Sequence, residues 1–271
     1  MSNNSLLHNC IRDFLSHCTE RKLSDSTYQN YRIYLDVFSN WLQRTYPELE
    51  STVTLDKRVL DEYTSYLKHT HRTKKGTPLK RSTINYHLVV LRNLITYLNE
   101  RSLTDLTASK VTLPRYSRTE KVNILTHDEV ERLLTSISTN NSKATKRDIS
   151  ITGLLLYSLI KISDLVAINR DDVDLVRKSI TISSTQQTVR LNPQTIDWLR
   201  EYLETRNDSH KALFINYRSR DASDNRLTPR SIQKMISRAA MLAGLSQKVT
   251  PHTLRHTYAT DLLGHGADLR S

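Results

Sequence analysis

Thr250-Pro251-His252-Thr253-Leu254-Arg255-His256-Thr257-Tyr258-Ala259-Thr260-Asp261 is the stretch on which the reading of this chain turns. Thr250 is a good N-cap residue and Pro251 suits the first helical position, so the spacing predicts a helix with His252 in its first turn. His252, Arg255 and His256 then stand at i, i+3 and i+4, on one face. An anion at that face also meets free backbone N–H groups and the positive end of the helix dipole. Arg255 can grip two phosphate oxygens through its planar fork, and His252 can exchange a proton with a hydroxyl at the phosphate. A His pair at i, i+4 is also metal-ligand spacing. Here, however, Thr253 and not Glu follows the first His, and no Cys or third ligand stands nearby, so no metal is expected.

Working outward, the 271 residues suffice for two domains with their own cores. Forty Lys and Arg against 28 Asp and Glu leave a net charge of +12, which points to a polyanionic partner. The charge is concentrated. Between Glu62 and Glu100 there is no acidic residue, while Lys68, Arg72, Lys74, Lys75, Lys80, Arg81 and Arg92 all fall inside. Such a stretch is expected to lie along a phosphate backbone, with Arg72, Lys74, Lys75, Lys80 and Arg81 as DNA-binding residues. Cys10 and Cys18 are two helical turns apart, too far to bridge, which fits a reduced, cytoplasmic setting. The most apolar run, Ile151 to Ile160, is interrupted by Thr152, Gly153 and Ser158 and is too short to span a bilayer, and no membrane partner is expected.

Hydrophobic periodicity predicts four helices in the first hundred residues. Leu7, Ile11, Phe14 and Leu15 mark the first, and Ser26 to Tyr46 the second. Thr54 to Leu67 and Ser82 to Leu98 are the third and fourth, separated by the basic loop His69 to Arg81 with its Gly76–Pro78 turn. Arg101 to Lys121 lacks periodicity and reads as a linker. A capping box at Thr126–Glu129 opens the next helix. Beyond it come a polar loop (Asn140 to Asp148), a buried helix (Ile149 to Leu165) and strands over Leu175 to Leu191 around a Ser183–Gln187 turn. Helices over Thr195 to Leu203, Thr228 to Leu242 and Thr250 to Leu263 complete the order. The fold class is therefore mainly α, with a small antiparallel sheet in the second half.

The H-x-L-R-H segment resembles the corresponding helix of the tyrosine recombinases, the phage integrase and Xer family. Leu154 to Leu165 likewise resembles the family's L-x-x-x-T-G-L-R-I-S-E-L, and Leu262 to Ser271 its L-L-x-x-G-A-D-I-R-S turn. The resemblance covers essentially the whole chain. It implies an N-terminal, four-helix SAM-like core-binding domain over residues 1–100, which clamps DNA, and a linker over 101–120. A mostly helical catalytic domain, incomplete at its C-terminus, would occupy 121–271. It also implies strand cutting and rejoining through a 3′-phosphotyrosyl intermediate, without cofactor, by subunits assembled as a tetrameric synapse on double-stranded DNA. On this pattern Arg255 and His252 are catalytic. Lys161 stands where the family has the first of its two phosphate-binding arginines, and Asp164 matches the acidic residue that buttresses the site.

The chain departs from the pattern in three places. Lys161 keeps the charge of the family's Arg but loses its fork. The turn Ser183-Ser184-Thr185-Gln186-Gln187 lacks the family's Lys general acid; Lys178 precedes the strand, and Arg190 lies on the return strand. The family's nucleophile lies beyond Ser271. Tyr258 is expected to serve the core, and His265 to be a loop residue. The resemblance thus identifies a site-specific recombinase, truncated before its nucleophile and expected to be inactive alone. The alternative is a non-catalytic DNA-binding relative or degenerate fragment.

Overall fold

The structure, a computed structural model, describes residues 4–21, 23–47, 55–114, 123–217 and 225–264. The chain divides into two units, Met1–Thr119 and Glu120–Ser271.

The first unit is built on α1 (Asn4–Glu20), α2 (Asp25–Thr45), α3 (Lys57–His69) and α4 (Arg81–Glu100). Each buries one stripe. Ile11, Phe14 and Leu15 of α1 meet Leu35, Phe38, Trp41 and Leu42 of α2, together with Tyr63 and Leu67 of α3 and Leu88, Leu91 and Leu94 of α4. Phe38 stands edge-on to Tyr63, ring centroids 4.9 Å apart. Helix α3 begins at Lys57 and not near Thr54, because the Asp56 carboxylate caps it by accepting from the Val59 N–H at 2.9 Å. Cys10 and Cys18 are both free and buried. Much of the stretch read as a linker packs here. Leu106, Ala108 and Val111 with Leu113 lie against this core around a 3-10 turn at Ala108–Lys110. Their apolar contacts follow no helical or strand period, so periodicity misses them. Residues 115–121 of that stretch lie outside the described residues.

The second unit opens with α5 (His127–Ile137), whose capping box between Thr126 and Glu129 is formed as the sequence predicts. Helix α6 (Lys143–Tyr157) begins six residues before the expected Ile149, capped by the Ser142 hydroxyl on the Thr145 N–H. Much of the expected polar loop is thus the exposed first turns of a helix. The expected helix to Leu165 is also broken. Ser158 is extended (φ −143°, ψ 159°), its hydroxyl donates back to the Leu154 carbonyl, and α7 (Ile162–Ala167) starts afresh after Lys161. Residues buried on every side from Ile149 to Leu156 carry no periodic signal that could mark such a break.

After α7 the chain makes a three-stranded antiparallel sheet in the order β1 (Val173–Asp174), β2 (Ser179–Ile182), β3 (Gln187–Arg190). Ile180 pairs with Val189, and Ile182 with Gln187. Helices α8 (Pro193–Glu204), α9 (Pro229–Leu242) and α10 (Pro251–Gly264) follow. Asn192 and Thr228 cap the first two, each with Pro at N1, and Gly244 at φ +66° terminates α9. A Cβ at Gly153 on α6 would stand 2.7 Å from the Trp198 ring of α8, so only glycine allows that approach. The core gathers Leu154, Leu165, Ile180, Leu199, Ile236 and Leu254. Both units together are mainly α with one small sheet, as the sequence predicts.

Candidate active site and nucleic-acid interface

Helix α10 is fixed by its buried face. Pro251, Thr253 and Leu254 face the core, the Thr250 hydroxyl caps the Thr253 N–H at 3.2 Å, and the Thr257 hydroxyl accepts from the Leu125 N–H at 2.9 Å. The opposite face is thereby presented outward, with His252 exposed and Arg255 and His256 half-buried. The two imidazoles touch: their Nε2 atoms are 2.7 Å apart and their rings nearly perpendicular at 87°. Partial burial, then the charges of His256 and Arg255, hold the His252 pKa below the ordinary histidine value. Among the described residues no hydrogen bond or ion pair engages the Arg255 guanidinium, which leaves its donors available to an anion.

Tyr258, which the sequence assigns to the core, is half-buried and meets the Tyr157 ring edge-to-face, centroids 6.4 Å apart. This contact sets the C-terminal end of α6 against the middle of α10, and Lys161 follows four residues after Tyr157. Lys161 is exposed at the N-cap position of α7. Asp164, one turn later, accepts from the Ser184 hydroxyl at 3.1 Å, so the β2–β3 turn is tied to α7. Ser183 in the same turn donates to Asp172 at 3.3 Å. Side chains that lack any group able to act as an acid near neutral pH thus occupy the turn. Lys178, at φ +54°, belongs to the bend between β1 and β2, while Arg190 is exposed on β3. His265 lies outside the described residues.

In the first unit the loop between α3 and α4 exposes Arg72, Lys74, Lys75, Lys80 and Arg81 together. It is internally braced. Arg72 and Pro78 form an antiparallel bridge, the Thr73 N–H donates to the Thr77 carbonyl at 2.9 Å, and their hydroxyls are 2.7 Å apart. Gly76 supplies the positive φ of +77° that the bend requires. Beneath the loop, His71 Nδ1 pairs with the Tyr66 hydroxyl at 3.1 Å and His87 Nδ1 with the Tyr63 hydroxyl at 3.2 Å. Burial, helped by the charge of His71, pushes the His87 pKa down to about 4. The sequence places His87 on an apolar stripe without revealing this role.

Arg226 was also invisible as a functional support. Its guanidinium donates to the carbonyls of Val166 (2.7 Å) and Ile168 (3.0 Å), holding the end of α7. Among the described residues no group of three His, Cys, Asp or Glu is arranged to hold a metal ion, and no helix is long and apolar enough to cross a membrane. A cavity of about 640 Å³ between α5, α6 and α9, lined by Ile137, Arg147, Tyr217, Met235 and Arg238, includes none of the expected site residues. A small substrate would favour such a cavity. The polar groups of α10 stand instead on an open face.

Residues 123–271 match the phage integrase family, and residues 11–102 match the phage integrase N-terminal SAM-like domain. The chain is 30% identical over 277 residues to the tyrosine recombinase XerD of Oceanobacillus iheyensis, covering 98% of this chain and 88% of that relative. Its fold is similar to that of the XerH site-specific recombinase bound to palindromic difH substrate (TM-score 0.67, 20% identity, 99% of this chain and 75% of that one). It is also similar to that of Lambda integrase residues 75–356 bound to DNA (TM-score 0.65, 15% identity, 96% and 88%). With H-x-L-R-H displayed on α10 and both halves of the chain matched, this protein belongs to the phage integrase family of tyrosine recombinases.

Proposed function

We propose that this polypeptide binds duplex DNA through the basic α3–α4 loop and the α10 face, and that its strand-transfer chemistry is impaired. In this reading residues 1–100 form the core-binding domain, 101–120 the connection, and 121–271 the catalytic-type domain. The protein works in the cytoplasm alongside other recombinase subunits on DNA. The observation that carries the proposal is the α10 face itself, where an uncommitted Arg255 stands beside His252 at the start of a helix. Arg255 holds the phosphate charge, and His252 handles the proton. Lys161 adds a positive charge without the fork, and the β2–β3 turn offers no acid for a leaving hydroxyl. Tyr258, against Tyr157, is a packing residue.

A duplex carrying a nick next to the scissile phosphate tests this, because an active recombinase is trapped on it as a covalent adduct. The expected result is salt-sensitive binding with no adduct from the 271-residue chain. An adduct on a denaturing gel overturns the impaired chemistry. Unchanged affinity in Arg255→Ala removes the phosphate role of α10.

A further inference from the structure

We infer that His256 is the proton partner of His252, so that the two imidazoles hold one proton between them and serve the phosphate as a single acid–base unit. The inference rests on the reading of α10 as the phosphate-binding helix.

The separation of 2.7 Å between the Nε2 atoms is a hydrogen-bond length. Two ring nitrogens at that distance need one N–H and one lone pair. One ring must therefore carry its proton at Nε2, while the other presents a bare Nε2. If both nitrogens were protonated, two N–H groups would point at each other and the contact would open. The i, i+4 spacing puts the rings on one face, so this contact is built into the helix.

Electrostatics act the same way. The charges that bear on His252 are those of His256 and Arg255, both on α10. On α6, Arg147 pairs with Asp148 and Lys146 with Glu201, and Tyr157 faces Tyr258. On α9, Lys234 and Arg238 line the cavity against α6. A first proton on the pair is shared, and a second meets the positive charge already there, next to Arg255 and the positive helix end. A bound phosphodiester lowers the cost of that second proton.

The transfer balances. A hydroxyl at the phosphate gives its proton to Nδ1 of His252, and the Nε2 proton of His252 crosses to the Nε2 lone pair of His256. His252 ends neutral in its other tautomer, and His256 carries the charge. Reversal returns the proton. His256 is thus a positioning and charge-holding residue, acting through His252.

The test is a pH titration of the imidazole nitrogens by NMR on the full chain, with signals among the ten histidines assigned by substitution. His252 is expected to titrate in two steps whose midpoints are also reported by His256. His256→Ala should leave His252 with one step, its midpoint raised. Should that variant lose the backbone amide pattern of α10, His252→Ala read at His256 gives the reciprocal measurement. Single-step curves at both rings, each indifferent to removal of the other, overturn the inference. DNA affinity of Arg255→Ala, measured separately by fluorescence anisotropy, tests the underlying phosphate reading. Coupled titration with unaltered DNA affinity keeps the proton sharing and discards the phosphate.

Discussion

Gly153 shows how much one missing side chain can decide. Its lack of a Cβ lets α6 lie against Trp198, and a methyl there would stand 2.7 and 2.8 Å from two ring carbons. Gly153→Ala is expected to lower stability by about 1–3 kcal/mol, read as a lower urea midpoint, because the overpacked ring must move within a filled core. His87 governs a different variable. Its pKa is about 4 when folded against an ordinary 6.5, so above pH 6.5 both states are neutral and its contribution is complete. As pH falls from 6.5 toward 4 the unfolded chain takes up a proton that the folded one refuses. About 3 kcal/mol should be lost across that window. Urea titrations across it should show a shallower decline in His87→Gln, which keeps a partner for Tyr63 but does not titrate. At this scale the sequence is legible where function is local. His252, Arg255 and His256 lie within two turns of one helix, so their spacing alone brings them together. Arg206 is the counterexample. Its side chain is fully buried, bonded to Asp208 at 2.6 Å and to the Tyr202 hydroxyl at 3.1 Å. Its further bonds to the carbonyls of Ala212 (3.1 Å) and Leu213 (2.5 Å) require a chain reversal that no spacing encodes.

Elements are legible when they have a polar side and a cap. Helices α2, α4, α5, α8 and α9 fall within a few residues of expectation because their buried stripes and start signals agree. Where a segment is buried all round, the stripe vanishes, and so the break between α6 and α7 was unreadable. That break matters to the site, since it puts Lys161 at a helix start and not in a helix interior. The end of α7 then depends on Arg226, which joins Val166, Ile168 and the Asn169 side-chain oxygen from about sixty residues away in sequence. Arg226→Met should cost about 2–3 kcal/mol by leaving part-buried carbonyls without their charged donor. Hydrogen exchange should locate the effect, with amides of α7 opening before those of α5. Uniform loss of protection across the second unit would mean that α7 has no independent looseness.

Across the whole molecule the net charge of +12 sets the form of any DNA interaction. Each phosphate neutralised contributes about 0.9 to the slope of log affinity against log salt. Replacing Lys74, Lys75 and Arg81 by Ala should therefore flatten that slope by about 2–3 and weaken binding to unrelated sequences alike. An unchanged slope would place the DNA elsewhere on the protein. Composition and the acid-free interval between Glu62 and Glu100 made this surface legible before any geometry. What they could not convey is that the loop is already shaped, because that depends on cross-loop bonds and one positive φ.

The Thr73–Thr77 brace and Gly76 have a thermodynamic consequence of their own. Immobilising a flexible backbone residue costs about 1–2 kcal/mol, and in this loop that loss is incurred during folding, so under the proposed DNA contact it would not be incurred again. Binding need only restrict the long side chains. Salt slope and affinity are then separable: the slope counts the cations, while affinity extrapolated to high salt reports how still the loop was beforehand. A loop with the same charges but no brace would share the first and forfeit part of the second.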